Sequence, residues 1–322
     1  FRSFQSSSPV NLLPTLLLET PLCISTGGLS AQNKCKLFFV LSDYRMMTIH
    51  AHPDDESSKG AGSVALYSDA GVTATLVCCT GGEEGDILNA AMDRPEIKQN
   101  LAKVRQEELA EAANIIGYER VHYLGYRDSG MPDTEANANP DCFANAPLDE
   151  AVGRLVKIIR EEKPHVIVTY PDDQQGYQHP DHLKVFDISL PAWDAAGDPT
   201  KFPELGEAWT PLKLYYTTWS RARIEALHNM FIKLEIESPF NEAWFDRPSQ
   251  DHRITTKIDV SKFSQRRTDA LLAHATQVDP DSPFWFGLPS EKSAEAYPWD
   301  DYILAFSRVG PIAQESDLFE GV

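Results

Sequence analysis

Basic residues are scarce in this chain of 322 residues: 29 Lys and Arg stand against 48 Asp and Glu, a formal net charge of −19. A surface of that sign repels phosphate backbones and anionic lipid, so nucleic acids and membrane surfaces are poor partner candidates. Cysteine is also sparse. The five, Cys23, Cys35, Cys78, Cys79 and Cys142, contain no C-x-x-C pair. That argues against a disulfide framework and points to a reducing, cytoplasmic setting. No apolar run approaches the ~18 residues of a membrane-spanning helix. The glycine fingerprint of dinucleotide binding is missing, as is the G-x-S-x-G elbow of serine hydrolases. An NAD-dependent oxidoreductase and a covalent serine mechanism lose their usual signatures.

Residues 1–44 differ from the rest. They are rich in Ser, Leu and Pro and carry few charges. Leu16–Leu18 hint at a secretory signal, but Pro14, Glu19 and Pro21 interrupt the apolar stretch and no basic cluster starts it. The expectation is a disordered or non-native N-terminal extension. Residues 45–322 are expected to form one hydrolase domain, with a core at 45–200 and a substrate-pocket region at 201–322.

From Arg45 onward, short apolar β-branched runs alternate with helical spacing. Strands are expected at Arg45–Ala51, Val72–Thr80, Arg120–Leu124 and His165–Tyr170. Helices are expected at Lys59–Asp69, Pro95–Ile116 and Leu148–Glu162, and from Asp181 on. After about Thr200 the pattern loosens. A strand at Leu212–Thr218, a helix at Ser261–Gln277 and a late strand at Tyr302–Ser307 remain legible. Alternation of this kind predicts an α/β fold: a Rossmann-like, mostly parallel sheet with helices on both faces. A smaller C-terminal mixed region is expected to close the active site.

In open parallel sheets, ligands bind beyond the carboxyl ends of the strands. Two polar clusters fall there: His52-Pro53-Asp54-Asp55-Glu56 after the first strand, and Tyr177-Gln178-His179-Pro180-Asp181-His182 after the fourth. Each holds two candidate metal ligands three residues apart, His52 with Asp55 and His179 with His182. Imidazole and carboxylate are the ligand types of a catalytic zinc, which keeps one position open for water. One such cluster is more often a helix cap, with Asp55 or Asp181 capping. Two, each at a strand end, favour a site. They offer more groups than one ion needs, which leaves an acid and a base beside it.

The segments AHPDDE (51–56) and HPDH (179–182) resemble the LmbE-like, or PIG-L, de-N-acetylase superfamily. TGGEEGDILNAAM (80–92), YRDSGM (126–131), GYQHPDH (176–182) and LLAHATQVDP (271–280) are similar to its mycothiol S-conjugate amidase branch. The likeness runs from about Arg45 to Val322. It implies a Rossmann-like fold and removal of acyl groups from amino sugars with one zinc per chain, ferrous iron being open on ligand type.

By the same resemblance His52, Asp55 and His182 match the metal ligands. Asp54 matches the general base. His179 matches the group that stabilises the oxyanion and protonates the leaving amine, with Asp181 holding its ring, and Tyr177 matches a tyrosine that polarises the carbonyl. Arg105 and Asp128 match positions that grip sugar and inositol hydroxyls. The bland alternative for Arg105 is a pair with Glu108 on a solvated helix face. Asp86 stands where the family usually has Glu, which keeps the charge but shortens its reach toward substrate. Lys59, in Ser57-Ser58-Lys59, leans toward the amidase branch.

The implied substrate is a small thiol–sugar conjugate, cleaved to glucosaminyl-inositol and an S-substituted N-acetylcysteine. The alternatives are deacetylation of N-acetylglucosaminyl-inositol and, in another class, a non-enzymatic sugar-binding protein. His50 and His122 are expected as packed histidines. His274 and Gln277 are candidates for the pocket wall, with a helix-end role as the alternative.

Overall fold

A computed structural model describes residues 43–174, 177–310 and 314–322. The expected extension lies outside them, apart from Asp43 and Tyr44. Along the chain run β1 (Arg45–His50), α1 (Asp55–Ser58), α2 (Ala61–Asp69), β2 (Thr73–Thr80), α3 (Pro95–Lys98), α4 (Leu101–Ile116) and β3 (Arg120–Tyr126). Then follow α5 (Leu148–Glu162), β4 (Val166–Thr169), α6 (Pro180–Ala196), β5 (Lys213–Thr218), α7 (Arg221–Lys233) and α8 (Glu242–Phe245). The chain continues with β6 (Thr256–Asp259), α9 (Ser264–Ala273), α10 (Pro283–Phe286), α11 (Ser290–Ala296) and β7 (Trp299–Ser307).

The strands form one seven-stranded sheet in the order β3-β2-β1-β4-β5-β7-β6. The first five are parallel, and β7 joins β5 and β6 in antiparallel pairing. The expected mostly parallel α/β fold is therefore what forms, and the sheet runs unbroken past residue 200. The pleat sorts the side chains to two faces. Met47, Ile49, Val77 and Cys79 join a core under α5 and α6. Met46, Leu76 and Cys78 join one under α2 and α4. Both faces of the central strands are covered, as their near-continuous apolar runs require. Cys78, Cys79 and Cys142 are free and buried.

Two helices differ from expectation. The stretch 95–116 is split, because Asn100 donates its side-chain amide to the Glu96 carbonyl (2.9 Å) and the helix restarts at Leu101. The helix expected through Gln277 ends at Ala273. There Thr276 is drawn to Glu108, with its N–H 2.8 Å and its hydroxyl 2.7 Å from the carboxylate. Tertiary bonds override helical spacing at that point.

Strand order reverses direction at β1, whose neighbours are β2 on one side and β4 on the other. Crevices in open α/β sheets form at this switch, beyond the strands' carboxyl ends. His50 ends β1 and Thr169 ends β4. The two polar clusters follow directly and so meet over one crevice.

Candidate active site

A cavity of about 870 Å³ opens over the ends of β1 and β4, and His52, Asp54, Asp55, Tyr177, His179 and His182 line it. Lys59, Asp86, Arg105 and Asp128 line it too. Asp181 does not: it is fully buried behind the wall.

His52, Asp55 and His182 bring one ligand atom each within 4.8 Å of one another. Nδ1 of His52 lies 3.4 Å, and Nε2 of His182 3.3 Å, from the same oxygen, Oδ2 of Asp55. The other carboxylate oxygen accepts from Lys59 Nζ at 2.5 Å. Burial opposes the Asp55 charge, but Lys59 and His182 outweigh it and hold the acid well below its ordinary range. An ionised carboxylate between two imidazoles is the donor set of a catalytic divalent site.

A second set, His52, Asp128, His179 and Asp181, is equally compact. Its carboxylates are already engaged. Asp181 accepts from the Ser129 N–H (2.9 Å) and hydroxyl, and Asp128 from the Gly130 N–H (2.8 Å) and the Glu84 N–H (3.3 Å). Both face Nε2 of His52, at 3.1 Å from Asp181 and 3.6 Å from Asp128. A carboxylate so placed is the kind of outer partner that would fix the tautomer and orientation of His52 were it to hold an ion. Burial alone would lower the His52 ring, yet these acids and Asp55 hold it well above the ordinary histidine value. Both oxygens of Asp55 also take protein donors, Lys59 Nζ and the His52 N–H (3.0 Å), but the first set fits a metal better because all three of its residues line the cavity and Asp181 does not.

The resemblance implied that Asp181 holds the His179 ring. The structure gives the pair a different contact: Nδ1 of His179 accepts the Asp181 backbone N–H (3.2 Å), a helix-capping bond, while the carboxylate turns to His52. The imidazole of His179 stands edge-on to that of His52, with centroids 4.5 Å apart. Burial, then the charge on His52, holds His179 below the usual value. Tyr177 is 57% exposed, with its ring 5.2 Å from that of His182.

Asp54 has a φ of 117°, a conformation costly for a residue with a Cβ. Its N–H donates to Glu56 Oε2 (3.0 Å). Arg105 donates to the Pro53 carbonyl (2.5 Å), to Gly82 O and to Asp54 Oδ2 (3.1 Å). Arg105 is buried, not on a solvated face, and Glu108 bonds Thr276 in its place. Burial raises the Asp54 carboxyl above its ordinary value, with Arg105 opposing.

Several supports escaped the sequence reading. Glu56 bonds the buried His274 at 2.7 Å. His274 thus takes the helix-end role, as the C-cap of α9, while Gln277 lines the cavity. Ser129 anchors Asp181. An HPDDE turn contains Glu56, but no spacing ties it to a histidine so far along the chain. His50 is packed against Tyr170, and burial lowers it to about 4. His122 is instead half-buried and pairs with Glu162 at 2.8 Å. The edge position of β3 leaves one side of that histidine open to a charged partner.

A parallel sheet with a buried His/Asp cluster at its switch point defines a metal-dependent amide hydrolase once relatives are compared. The GlcNAc-PI de-N-acetylase (PIG-L) family pattern matches residues 47–193. The chain is 42% identical over 288 residues to mycothiol S-conjugate amidase of Streptomyces coelicolor, covering 86% of this chain and 97% of that one. It is 38% identical to 1D-myo-inositol 2-acetamido-2-deoxy-alpha-D-glucopyranoside deacetylase of Streptomyces avermitilis, over 88% and 98% of the two chains. The chain belongs to the PIG-L family of metal-dependent de-N-acetylases.

Among solved structures, N,N'-diacetylchitobiose deacetylase of Pyrococcus horikoshii superposes with a TM-score of 0.55 at 17% identity, over 87% of this chain and 94% of that one. The 4-carboxy-2-hydroxymuconate hydratase GalB of Pseudomonas putida does so at 0.50 and 16%, over 83% and 98%. A deacetylase and a hydratase on one scaffold show that this likeness carries fold and not reaction. No helix among the described residues is long and apolar enough to cross a membrane.

Proposed function

We propose that the protein hydrolyses the amide of mycothiol S-conjugates, releasing glucosaminyl-inositol and an S-substituted N-acetylcysteine. His52, Asp55 and His182 would hold one divalent ion, zinc by ligand type. Lewis-acid polarisation of the carbonyl and of water is the chemistry such an ion supplies. Asp54, raised by burial, takes the proton of the attacking water. His179 supports the developing oxyanion and then protonates the leaving nitrogen; a lowered pKa makes its protonated form the stronger acid. Tyr177, exposed and beside the His182 ring, helps polarise the carbonyl. Asp86 and Asp128 face the polyol, and charged hydrogen-bonding groups suit hydroxyl-rich ligands. Arg105, sequence-matched to the same grip, is instead spent on Pro53, Gly82 and Asp54 and orients the base. A soluble, cytoplasmic setting accords with the buried free thiols.

The observation that carries the amidase reading is Lys59 on the cavity wall beside Asp55, within a chain whose relatives bear both names. The second reading, deacetylation of N-acetylglucosaminyl-inositol, shares every catalytic group and is favoured by the names of several relatives. Paired turnover of a bimane-labelled mycothiol conjugate and of N-acetylglucosaminyl-inositol tests the choice, with metal analysis on the same sample. Preference for the acetylated sugar overturns the amidase reading.

A further inference from the structure

The sheet order lays the cavity out as two unlike halves around the His52–Asp55–His182 cluster. On one flank, the loops after β2 and β3 contribute Glu84, Asp86 and Asp128. On the other, beyond the end of β5, Trp219, Trp244, Phe284 and Trp285 form a contiguous aromatic wall, with the polar Arg221, Arg247 and Gln250 also lining the cavity. Phe284 stacks on Trp219 (centroids 5.8 Å, planes 8° apart) and on Trp244 (5.4 Å, 25°), and meets Trp285 edge-on at 4.7 Å.

This wall is braced from behind. Arg223 lies over Trp219 at 4.6 Å, and Arg267 over Trp285 at 5.7 Å. The Trp219 indole N–H reaches the Ser58 carbonyl (3.3 Å), one residue before Lys59. The aromatic surface is therefore tied to the element that carries the catalytic cluster.

We infer that this aromatic flank is the subsite for an apolar, preferably aromatic, substituent on the acyl side of the scissile amide. A ligand cleaved at the central cluster must send its two halves to opposite flanks. A polyol needs an acceptor or donor for each hydroxyl, which the acidic flank supplies and four rings do not. An aromatic substituent needs area and ring faces, which the rings supply. An acetyl group ends in one methyl and leaves most of that surface uncovered.

The inference rests on the reading that the site cleaves an N-acyl amino sugar, and its test separates the two. Isothermal titration of the intact protein with N-acetyl-S-benzylcysteine amide and N-acetyl-S-methylcysteine amide, which carry no sugar, reads the subsite without turnover. The benzyl compound is expected to bind about tenfold more tightly or better. Phe284→Leu and Trp244→Leu, on separate helices, should each remove most of that preference while leaving the weak methyl affinity unchanged. In kinetics, the same variants should lower kcat/KM for S-benzyl mycothiol and spare N-acetylglucosaminyl-inositol. Equal affinity for the two amides in the unmodified protein overturns the subsite, whatever the variants do. So does a loss in the folded variants that falls equally on the acetylated sugar. A protein that prefers the benzyl amide yet turns over only the acetylated sugar overturns the amidase function and leaves the subsite standing.

Discussion

Oε1 of Glu56 lies 2.7 Å from Nε2 of His274, 218 residues further along the chain, and both side chains are buried. The same carboxylate takes the N–H of Asp54 on its second oxygen. The pair therefore pins the strained turn that presents the candidate base. Burial alone would lower His274, but Glu56 holds it above 6.5, while His274 helps hold Glu56 below 4.5 against burial.

A raised histidine adds stability that is fully present below the unfolded value and is lost as pH rises through the folded one. A depressed glutamate adds stability that is lost as pH falls through its folded value. His274→Gln should therefore cost most at about pH 6, on the order of 2 kcal/mol, and progressively less on the alkaline side. Urea unfolding of both proteins across pH measures this. A difference that grows above neutrality would contradict the charged pair.

Asp54 and His182 should fail differently. Asp54→Ala removes a base that no ligand depends on, so metal content should hold while kcat falls about 10²–10⁴-fold. His182→Ala removes an imidazole that meets Asp55 at 3.3 Å, and the ion should be lost with activity. Elemental analysis beside turnover reads both. Full metal in the His182 variant takes it off the ligand set, and an active Asp54 variant does the same for the base.

The contacts of Asp181 point to a role distinct from holding the His179 ring, and the two can be told apart. Its carboxylate bonds His52 and Ser129, and only its backbone touches His179. Asp181→Asn should weaken metal affinity about 10–100-fold, as loss of an outer carboxylate does. Chelator competition gives the affinity directly. If the carboxylate served His179 instead, kcat would fall with metal affinity unchanged.

What the sequence made legible, and what it did not, follows from distance along the chain. His52 to Glu56 and Tyr177 to His182 are short polar clusters after apolar strands, so the pattern of one window marks each, and parallel topology brings the two together. Arg105 resisted the same treatment. Helical spacing offered Glu108 as its partner, yet the guanidinium packs so close to Gly82 that a Cβ there would sit 2.3 Å from its Cζ. Such an approach depends on a residue in a different loop having no side chain. The ring cluster of Trp219, Trp244 and Phe284 comes from three separate elements and has no periodicity to betray it.

Arg105 itself gives the remaining prediction. Its fork reaches the carbonyls of Pro53 and Gly82 together with the carboxylate of Asp54, with the side chain only 3% exposed. Lysine keeps the charge but cannot span three acceptors in a plane. At least one buried carbonyl then loses its donor, at a cost of about 1–3 kcal/mol. Arg105→Lys should therefore lower unfolding stability by that amount and, because Asp54 is no longer oriented, lower kcat more than it raises KM. Were Arg105 chiefly a substrate grip, the same variant would raise KM and leave the urea midpoint where it was.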